Sequence, residues 1–231
     1  MLPFTVCPVG DTGLLVSFEQ RIAQSVGAAV AALNTRVAAA AIPGVVETVP
    51  AFASLLIFYD PLVTEYDAVA AAVQKLAQVP DSDTAAEEGR LVEIPVCYGG
   101  TFGPDLPFVA EHAGLTEKEV MELHAGREYR IYMLGFLPGF PYLGGLDERL
   151  FTPRLASPRT AIPAGSVGIG GEQTGVYPIA SPGGWQLIGR TPLKLFDPSA
   201  GRLPYAAGDR IRFCPITQDE FDAIAQKEGT V

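Results

Sequence analysis

The sequence predicts an α+β protein in which a small α+β sandwich precedes a glycine- and proline-rich β-barrel. Within residues 1–88, strand-like apolar runs and two helical patterns occur in the order strand, strand, helix, strand, strand, helix. From Tyr129 onward, short apolar runs alternate with glycine and proline, which is typical of a compact barrel. The acidic, apolar-poor stretch 80–89 separates these patterns and indicates a linker. We therefore predict domains at 1–88 and 89–231.

The first domain is predicted to contain four strands, at residues 4–9, 14–18, 45–49 and 54–59. The last of these is nearly all apolar, so we expect it to be central. Capping boxes are predicted at Ser17 with Gln20 and at Thr64 with Asp67, each opening a helix. The buried helical faces are predicted to comprise Ile22, Val26, Ala29, Leu33 and Val37, and then Val69, Val73 and Leu76. This order predicts a ferredoxin-like sandwich, with both helices on one face of a mainly antiparallel sheet.

The second domain is predicted to begin with a strand at 90–98, followed by short helices at 105–112 and 116–124. Gly114 and Gly126 occupy the positions where glycines commonly end helices. Barrel strands are predicted around residues 166–169, 176–180, 185–188, 193–196 and 210–213. A final helix is predicted at 218–227.

Charge and composition exclude several classes of function. The 231 residues carry a formal charge of −10, which argues against binding to nucleic acid or to anionic membrane surfaces. The N-terminal residues have no signal-peptide pattern, and the longest apolar stretch is interrupted by Asn34 and Arg36. The three scattered cysteines are expected to be buried free thiols, which favours a cytoplasmic protein. They are Cys7, Cys97 and Cys214.

Two familiar kinds of site are disfavoured by their context. The run from Gly184 to Thr191 nearly matches a phosphate-binding P-loop, but Pro192 and a strand-like run follow it where a helix is required. The two histidines, His112 and His124, are twelve residues apart and do not share a face, so no metal site is predicted. Each lies near the end of a predicted helix, where the helix dipole favours it. His124 adjoins the glycine-rich region and also remains a candidate catalytic residue.

The glycine-rich loops carry the strongest candidates for binding. Arg154, Arg159 and Arg190 could hold a carboxylate or phosphate bidentately, or could pair with the abundant acids of the chain. Gln173, Thr174 and Tyr177 offer neutral donors and acceptors suited to an amide or a lactam. Gly183 and Gly184 would permit close approach of a backbone. Four aromatic residues could form an apolar wall or simply fill the core: Phe136, Phe140, Tyr142 and Trp185.

Three long phrases in the same region carry a family resemblance: GFLPGFPYLGGL, IPAGSVGIGGEQTGVYP and PGGWQLIGRTPLKLFDP. They resemble the allophanate hydrolase subunit 1 family, which includes the sporulation-kinase inhibitor KipI and the B-type subunit of bacterial ATP-dependent 5-oxoprolinase. The resemblance implies an N-terminal α+β domain and a cyclophilin-like C-terminal barrel. It also implies two partners, an allophanate hydrolase subunit 2-type protein (the C-type 5-oxoprolinase subunit) and a third 5-oxoprolinase subunit. ATP, with Mg²⁺, is expected in the assembled complex and not on this chain alone.

The resulting expectation is a subunit that helps convert 5-oxo-L-proline to L-glutamate with ATP hydrolysis, inactive by itself. Alternatives are a regulatory protein that inhibits a sensor histidine kinase, or a subunit that processes allophanate or urea amides. On motif position and residue chemistry, catalytic roles are assigned to His124 and Arg190. Substrate binding is assigned to Arg159, Gln173, Tyr177, Gly183, Gly184 and Trp185. Partner binding is assigned to Phe136, Phe140 and Tyr142, with ordinary core packing as the alternative.

Overall fold

A computed structural model describes residues 2–21, 23–79, 89–197, 199 and 203–229. The chain divides into two compact units, Met1–Glu88 and Gly89–Val231. Residues 80–88 of the predicted linker and the predicted face residue Ile22 lie outside the described residues. Among the helices that are described, none is long and apolar enough to cross a membrane.

The first unit is a four-stranded antiparallel sheet with two helices. Its elements are β1 (Phe4–Val9), β2 (Gly13–Phe18), α1 (Gln24–Ala40), β3 (Val45–Pro50), β4 (Ser54–Tyr59) and α2 (Tyr66–Ala77). The sheet order is β1-β2-β4-β3. Strands β2 and β3, joined by α1, are both antiparallel to the β4 strand between them. This is the split β-α-β arrangement of ferredoxin-like sandwiches, and β4 is central as predicted.

The core of this unit is formed by side chains that are buried at every second position of the strands and along one face of each helix. Every second residue of β4 is buried, as expected when one face of a sheet packs against helices. Helix α1 buries Val26, Val30, Leu33 and Val37, and α2 buries Val69, Ala70, Val73 and Ala77. The predicted helical faces are therefore confirmed for the valines and Leu33.

The two predicted capping boxes of this unit are wrong. Ser17 lies within β2, where it pairs with Thr5, and the Gln20 side chain donates to the Phe18 carbonyl. Helix α1 instead begins after Ala23 and α2 after Glu65, neither with a side-chain cap. Pairing of β2 with both neighbouring strands extends it to Phe18, so the tertiary contacts override the local capping signal.

The second unit is a closed seven-stranded barrel with three helices and a small extra sheet. Its elements are β5 (Leu91–Tyr98), α3 (Leu106–Ala113), α4 (Glu117–Ala125), β6 (Glu128–Leu134), β7 (Pro141–Gly144), a 3-10 turn (Glu148–Leu150), β8 (Arg159–Ile162), β9 (Ser166–Gly170), β10 (Gln173–Val176), β11 (Ser181–Gly183), β12 (Gln186–Arg190), β13 (Arg210–Pro215) and α5 (Gln218–Glu228). The order around the barrel is β10-β7-β6-β13-β5-β12-β9, and β8 pairs with β11 outside it. Only the β5–β13 pairing of this barrel is parallel.

The predicted α+β class and the barrel are confirmed, with local errors. Gly114 ends α3 in the left-handed conformation, as expected. Residues 193–196 form no strand, and the strand expected at 176–180 lies earlier, at β10. Cys97 is buried and Cys214 partly so, but Cys7 is exposed because the β1 edge strand turns it to solvent.

Candidate functional site

The second unit contains a cavity of about 370 Å³ lined mainly by aromatic and glycine residues, which we call the aromatic cavity. Two segments supply most of its wall: the loop between β6 and β7, and the stretch from β11 to the start of β12. Its lining residues are Phe136, Leu137, Phe140, Tyr142, Arg154, Pro158, Tyr177, Ser181, Pro182, Gly183, Gly184 and Trp185. The structure thus brings together seven of the predicted site residues that lay up to about fifty positions apart in sequence.

Phe140 is the centre of the aromatic wall. It is 2% exposed and packs edge-on against the other four rings. The ring centroids lie 5.2 Å from Tyr142 and Tyr177, 5.5 Å from Trp185 and 5.7 Å from Phe136. Such edge-to-face contacts add to the stabilisation gained from burial alone. Phe140 therefore packs mainly against the neighbouring rings, and its predicted role as a partner contact stays a prediction.

Two glycines of β9 and β10 make room for the indole of Trp185. A Cβ at Gly170 would lie 2.4 Å from Cδ1 of Trp185, and one at Gly175 would lie 3.1 Å from its Cζ3. Both distances are shorter than ordinary carbon–carbon contact. The glycine spacing in GIGGEQTG thus allows the tryptophan to lie against the barrel backbone.

Phe136 lies at the exposed end of the aromatic wall. It is 63% exposed, and its φ of +65° is in the left-handed region that non-glycine residues seldom adopt. Of the three residues predicted to contact a partner, Phe136 is the one whose exposure suits that role.

The polar side chains that line the cavity are Arg154, Tyr142, Tyr177 and Ser181. The Arg154 guanidinium carbon lies 5.8 Å from the centroid of the Trp185 ring, within cation–π range. Burial raises the pKa of Tyr177 to about 12, and the charges of Arg154 and Arg159 partly oppose that increase. Burial also raises the pKa of Tyr142, again opposed by Arg154. Both phenols are therefore neutral near pH 7, and both lie close enough to Arg154 to respond to its charge.

Arg159 does not line the cavity, contrary to its predicted substrate-binding role. Its guanidinium donates to Asp105 at 2.7 Å and to the Trp185 carbonyl at 3.4 Å. The second carboxylate oxygen of Asp105 accepts from the Leu187 backbone N–H at 2.6 Å. This ion pair holds the backbone on both sides of Gln186, the first residue of β12, so Arg159 helps to position the tryptophan.

His124 also lies outside the cavity and its side chain is fully buried, so the cavity lining gives its predicted catalytic role no support. Its Nε2 is 2.8 Å from the Thr174 hydroxyl, which donates to the Gly168 carbonyl, so Nε2 carries the proton. Nδ1 then accepts from the Tyr98 hydroxyl at 2.8 Å. Burial lowers the pKa of His124 to about 3. This neutral histidine is a structural part of the barrel core.

The remaining predicted residues are placed elsewhere in the second unit. Arg190 donates through Nε to the Ala164 carbonyl at 2.9 Å and lines a separate cavity of about 280 Å³. Gln173, at the start of β10, is half-buried and does not line the aromatic cavity. The P-loop-like run forms strand β12 and its flanks, with no helix after it. Within the described ranges, no group of three or more His, Cys, Asp or Glu side chains could hold a metal ion.

The family model described as carboxyltransferase domain, subdomain C and D matches residues 4–205. The chain belongs to this family. Its resemblance to the B-type subunit of 5-oxoprolinase is confirmed by two relatives that are named as that subunit. The Bacillus subtilis protein is 43% identical over 233 residues, covering 96% of both chains. The Escherichia coli protein is 50% identical over 190 residues, covering 81% of both.

Solved structures of other proteins share the fold of this chain. A conserved uncharacterized protein from Pyrococcus horikoshii is 45% identical, with a TM-score of 0.56, over 94% of this chain and 100% of that one. The Kluyveromyces lactis urea carboxylase gives a TM-score of 0.81 over 98% of this chain and 23% of that chain. Because its identity is 21%, that likeness shows the shared fold alone.

Proposed function

We propose that this carboxyltransferase-family chain is the B-type subunit of an ATP-dependent 5-oxoprolinase complex, which converts 5-oxo-L-proline to L-glutamate. The observation that carries the proposal is similarity along 96% of both chains to a protein named as that 5-oxoprolinase subunit. The partners would be an allophanate hydrolase subunit 2-type protein and a third subunit. Exposed Phe136, at the rim of the aromatic cavity, is our candidate for contact with one of them.

The aromatic cavity supports this proposal chemically. A five-membered lactam resists hydrolysis, and phosphorylation of its amide oxygen would make the carbonyl carbon a better electrophile. The residues of this chain would contribute by holding the ring away from water, through Tyr142 and Trp185, while Tyr177 presents a neutral hydroxyl. Gly183 and Gly184 leave space at the wall for the ligand. ATP would be bound by another subunit, since the P-loop-like run of this chain is a strand.

Carboxyl transfer to urea or a similar amide is a second candidate, favoured by the description of the matching family. The similarity to proteins named urea amidolyase is weaker. The Saccharomyces cerevisiae protein is 30% identical over 63% of this chain and 8% of that protein. Full-length identity of 43% to a 5-oxoprolinase subunit therefore favours the 5-oxoprolinase assignment.

The test is 5-oxoproline-dependent ADP release by the chain co-expressed with its neighbouring subunits, compared with the same preparation lacking this chain. We expect release to disappear on omission. A complex shown to be assembled that releases no ADP with 5-oxoproline would contradict the proposal. A parallel assay with urea and bicarbonate measures the second candidate, and inhibition of histidine-kinase autophosphorylation would favour a regulatory role.

A further inference from the structure

We infer that Arg154 binds the carboxylate of the proposed lactam substrate in the aromatic cavity, and that the Tyr177 hydroxyl donates to its amide oxygen. The inference rests on the proposed function, because it names the recognition device of the same site. Arg154 was one of three candidate cations in the sequence, and the geometry singles it out.

Arg154 is available to bind an anion. Its side chain is exposed, and no carboxylate of a described residue lies within 4.0 Å of its guanidinium. Ion pairs with carboxylates occupy six other described arginines of the same unit: Arg90, Arg127, Arg149, Arg159, Arg210 and Arg212. A guanidinium fixed above an aromatic face keeps its N–H groups free to hold a carboxylate bidentately.

Tyr177 supplies a complementary group for the amide. It is 2% exposed and is one of the residues that line the aromatic cavity. The oxygen lies beside Gly183, where an added Cβ would be only 2.7 Å away. A phenol that is neutral in apolar surroundings can donate a hydrogen bond to a carbonyl oxygen.

The size and charge of the surroundings agree with a small anionic ring. About 370 Å³ is at the lower end of the range for small-molecule sites, roughly 300–1,000 Å³. The aromatic lining offers apolar surface to the ring carbons, including the rings of Tyr142 and Trp185. Because the chain carries a net charge of −10, an anionic ligand would be repelled at long range, so retention requires a local cation. Arg154 is that cation.

The experiment measures binding of two probes to the full chain by calorimetry: 5-oxo-L-proline, and pyrrolidin-2-one, which is the same lactam without the carboxylate. Trp185 is the single tryptophan, so a change in its fluorescence reports that binding occurs at the cavity. The variants are Arg154→Gln, Arg154→Lys and the control Lys118→Gln. The control removes one positive charge from α4, outside the cavity lining.

We expect Arg154→Gln to weaken binding of 5-oxo-L-proline by about 10- to 100-fold, the range of a charge-assisted hydrogen bond. Binding of pyrrolidin-2-one should change little. Comparing the change in affinity for the two probes gives a double-mutant cycle that measures the interaction between Arg154 and the ligand carboxylate. Arg154→Lys should restore part of the affinity, and Lys118→Gln should bind as the unmodified chain does. Equal effects of Arg154→Gln on both probes, or no binding of 5-oxo-L-proline, would overturn the inference.

The assembled complex separates this inference from the proposed function. There, Arg154→Gln should raise KM for 5-oxo-L-proline about tenfold or more with a smaller change in kcat, as for a residue that binds the ground state and transition state alike. If omission of the chain abolishes ADP release while Arg154→Gln leaves KM unchanged, the proposed function stands and the inference fails. If omission has no effect but carboxylate-selective binding is measured, the proposed function fails and the inference stands.

Discussion

Acidification is expected to destabilise the barrel by protonating His124. In the folded protein both ring nitrogens are used, Nε2–H as a donor to Thr174 and Nδ1 as an acceptor from Tyr98. A second proton, at Nδ1, would prevent Nδ1 from accepting the hydrogen bond from Tyr98. It would also place a positive charge beside Tyr129 and Phe213, which pack against the ring. Burial is what lowers the pKa of His124 from 6.5 to about 3.

The magnitude follows from the difference in pKa between the two states. Because the folded pKa lies below the unfolded value of 6.5, the unfolded chain binds more protons between these values. The free energy of unfolding therefore decreases as the pH is lowered. The stabilising contribution is complete above the unfolded pKa and is lost progressively towards the folded one. One pKa unit corresponds to about 1.4 kcal/mol, so acidification from about pH 7 to 5 removes roughly 2 kcal/mol.

The assay is urea unfolding followed by the fluorescence of Trp185, which lies in the same unit as His124 and reports on the barrel. The comparison is His124→Gln, which keeps one donor and one acceptor but does not titrate. We expect this variant to be less stable at pH 7, yet to lose about 2 kcal/mol less than the unmodified chain between pH 7 and 5. His112, the other histidine, is exposed and present in both proteins. Equal losses in the two proteins would refute the reasoning.

Two further predictions concern a glycine in the cavity lining and the ion pair between Arg159 and Asp105. Gly183→Ala is expected to weaken lactam binding severalfold, because its Cβ would lie 2.7 Å from the Tyr177 hydroxyl, whereas Gly184→Ala, with nothing nearer than 3.7 Å, should bind nearly normally. Calorimetry of the two variants measures this, and equal affinities would contradict it. Asp105→Ala is expected to lower the free energy of unfolding by about 1–3 kcal/mol, because it leaves the partly buried Arg159 guanidinium and a backbone N–H unpaired. Urea titration measures that loss, and a change within error would show that the ion pair does not stabilise the barrel.

The elements of the first unit were largely predictable because their signals are local. Strand β4 was placed at its observed limits by a run of apolar residues, and the helical faces by spacing of three and four. The starts of the helices were not predictable in this way. A Ser–Gln or Thr–Asp spacing is a short signal, and the pairing of β2 with its two neighbours outweighs it.

The site was predictable in its aromatic and glycine content but not in its polar residues. The loop phrases indicated Phe136, Tyr177 and Trp185, all of which line the cavity. Arg159 and His124 carried the right chemistry for a site but face other partners. Those partners are 54 residues away for Arg159, at Asp105, and 50 residues away for the Nε2 contact of His124, at Thr174.

Local sequence therefore established the α+β class, most strand and helix positions, and the region that carries the site. Patterns of apolar residues, glycine and proline act over a few residues, so they can be read along the chain. Closure of the barrel selected Arg154 for the cavity, tied Arg159 to Asp105 and buried His124 as a neutral group. Those outcomes depend on which strands become neighbours, because a charge is paired or free, and a ring exposed or buried, according to residues far away in the sequence.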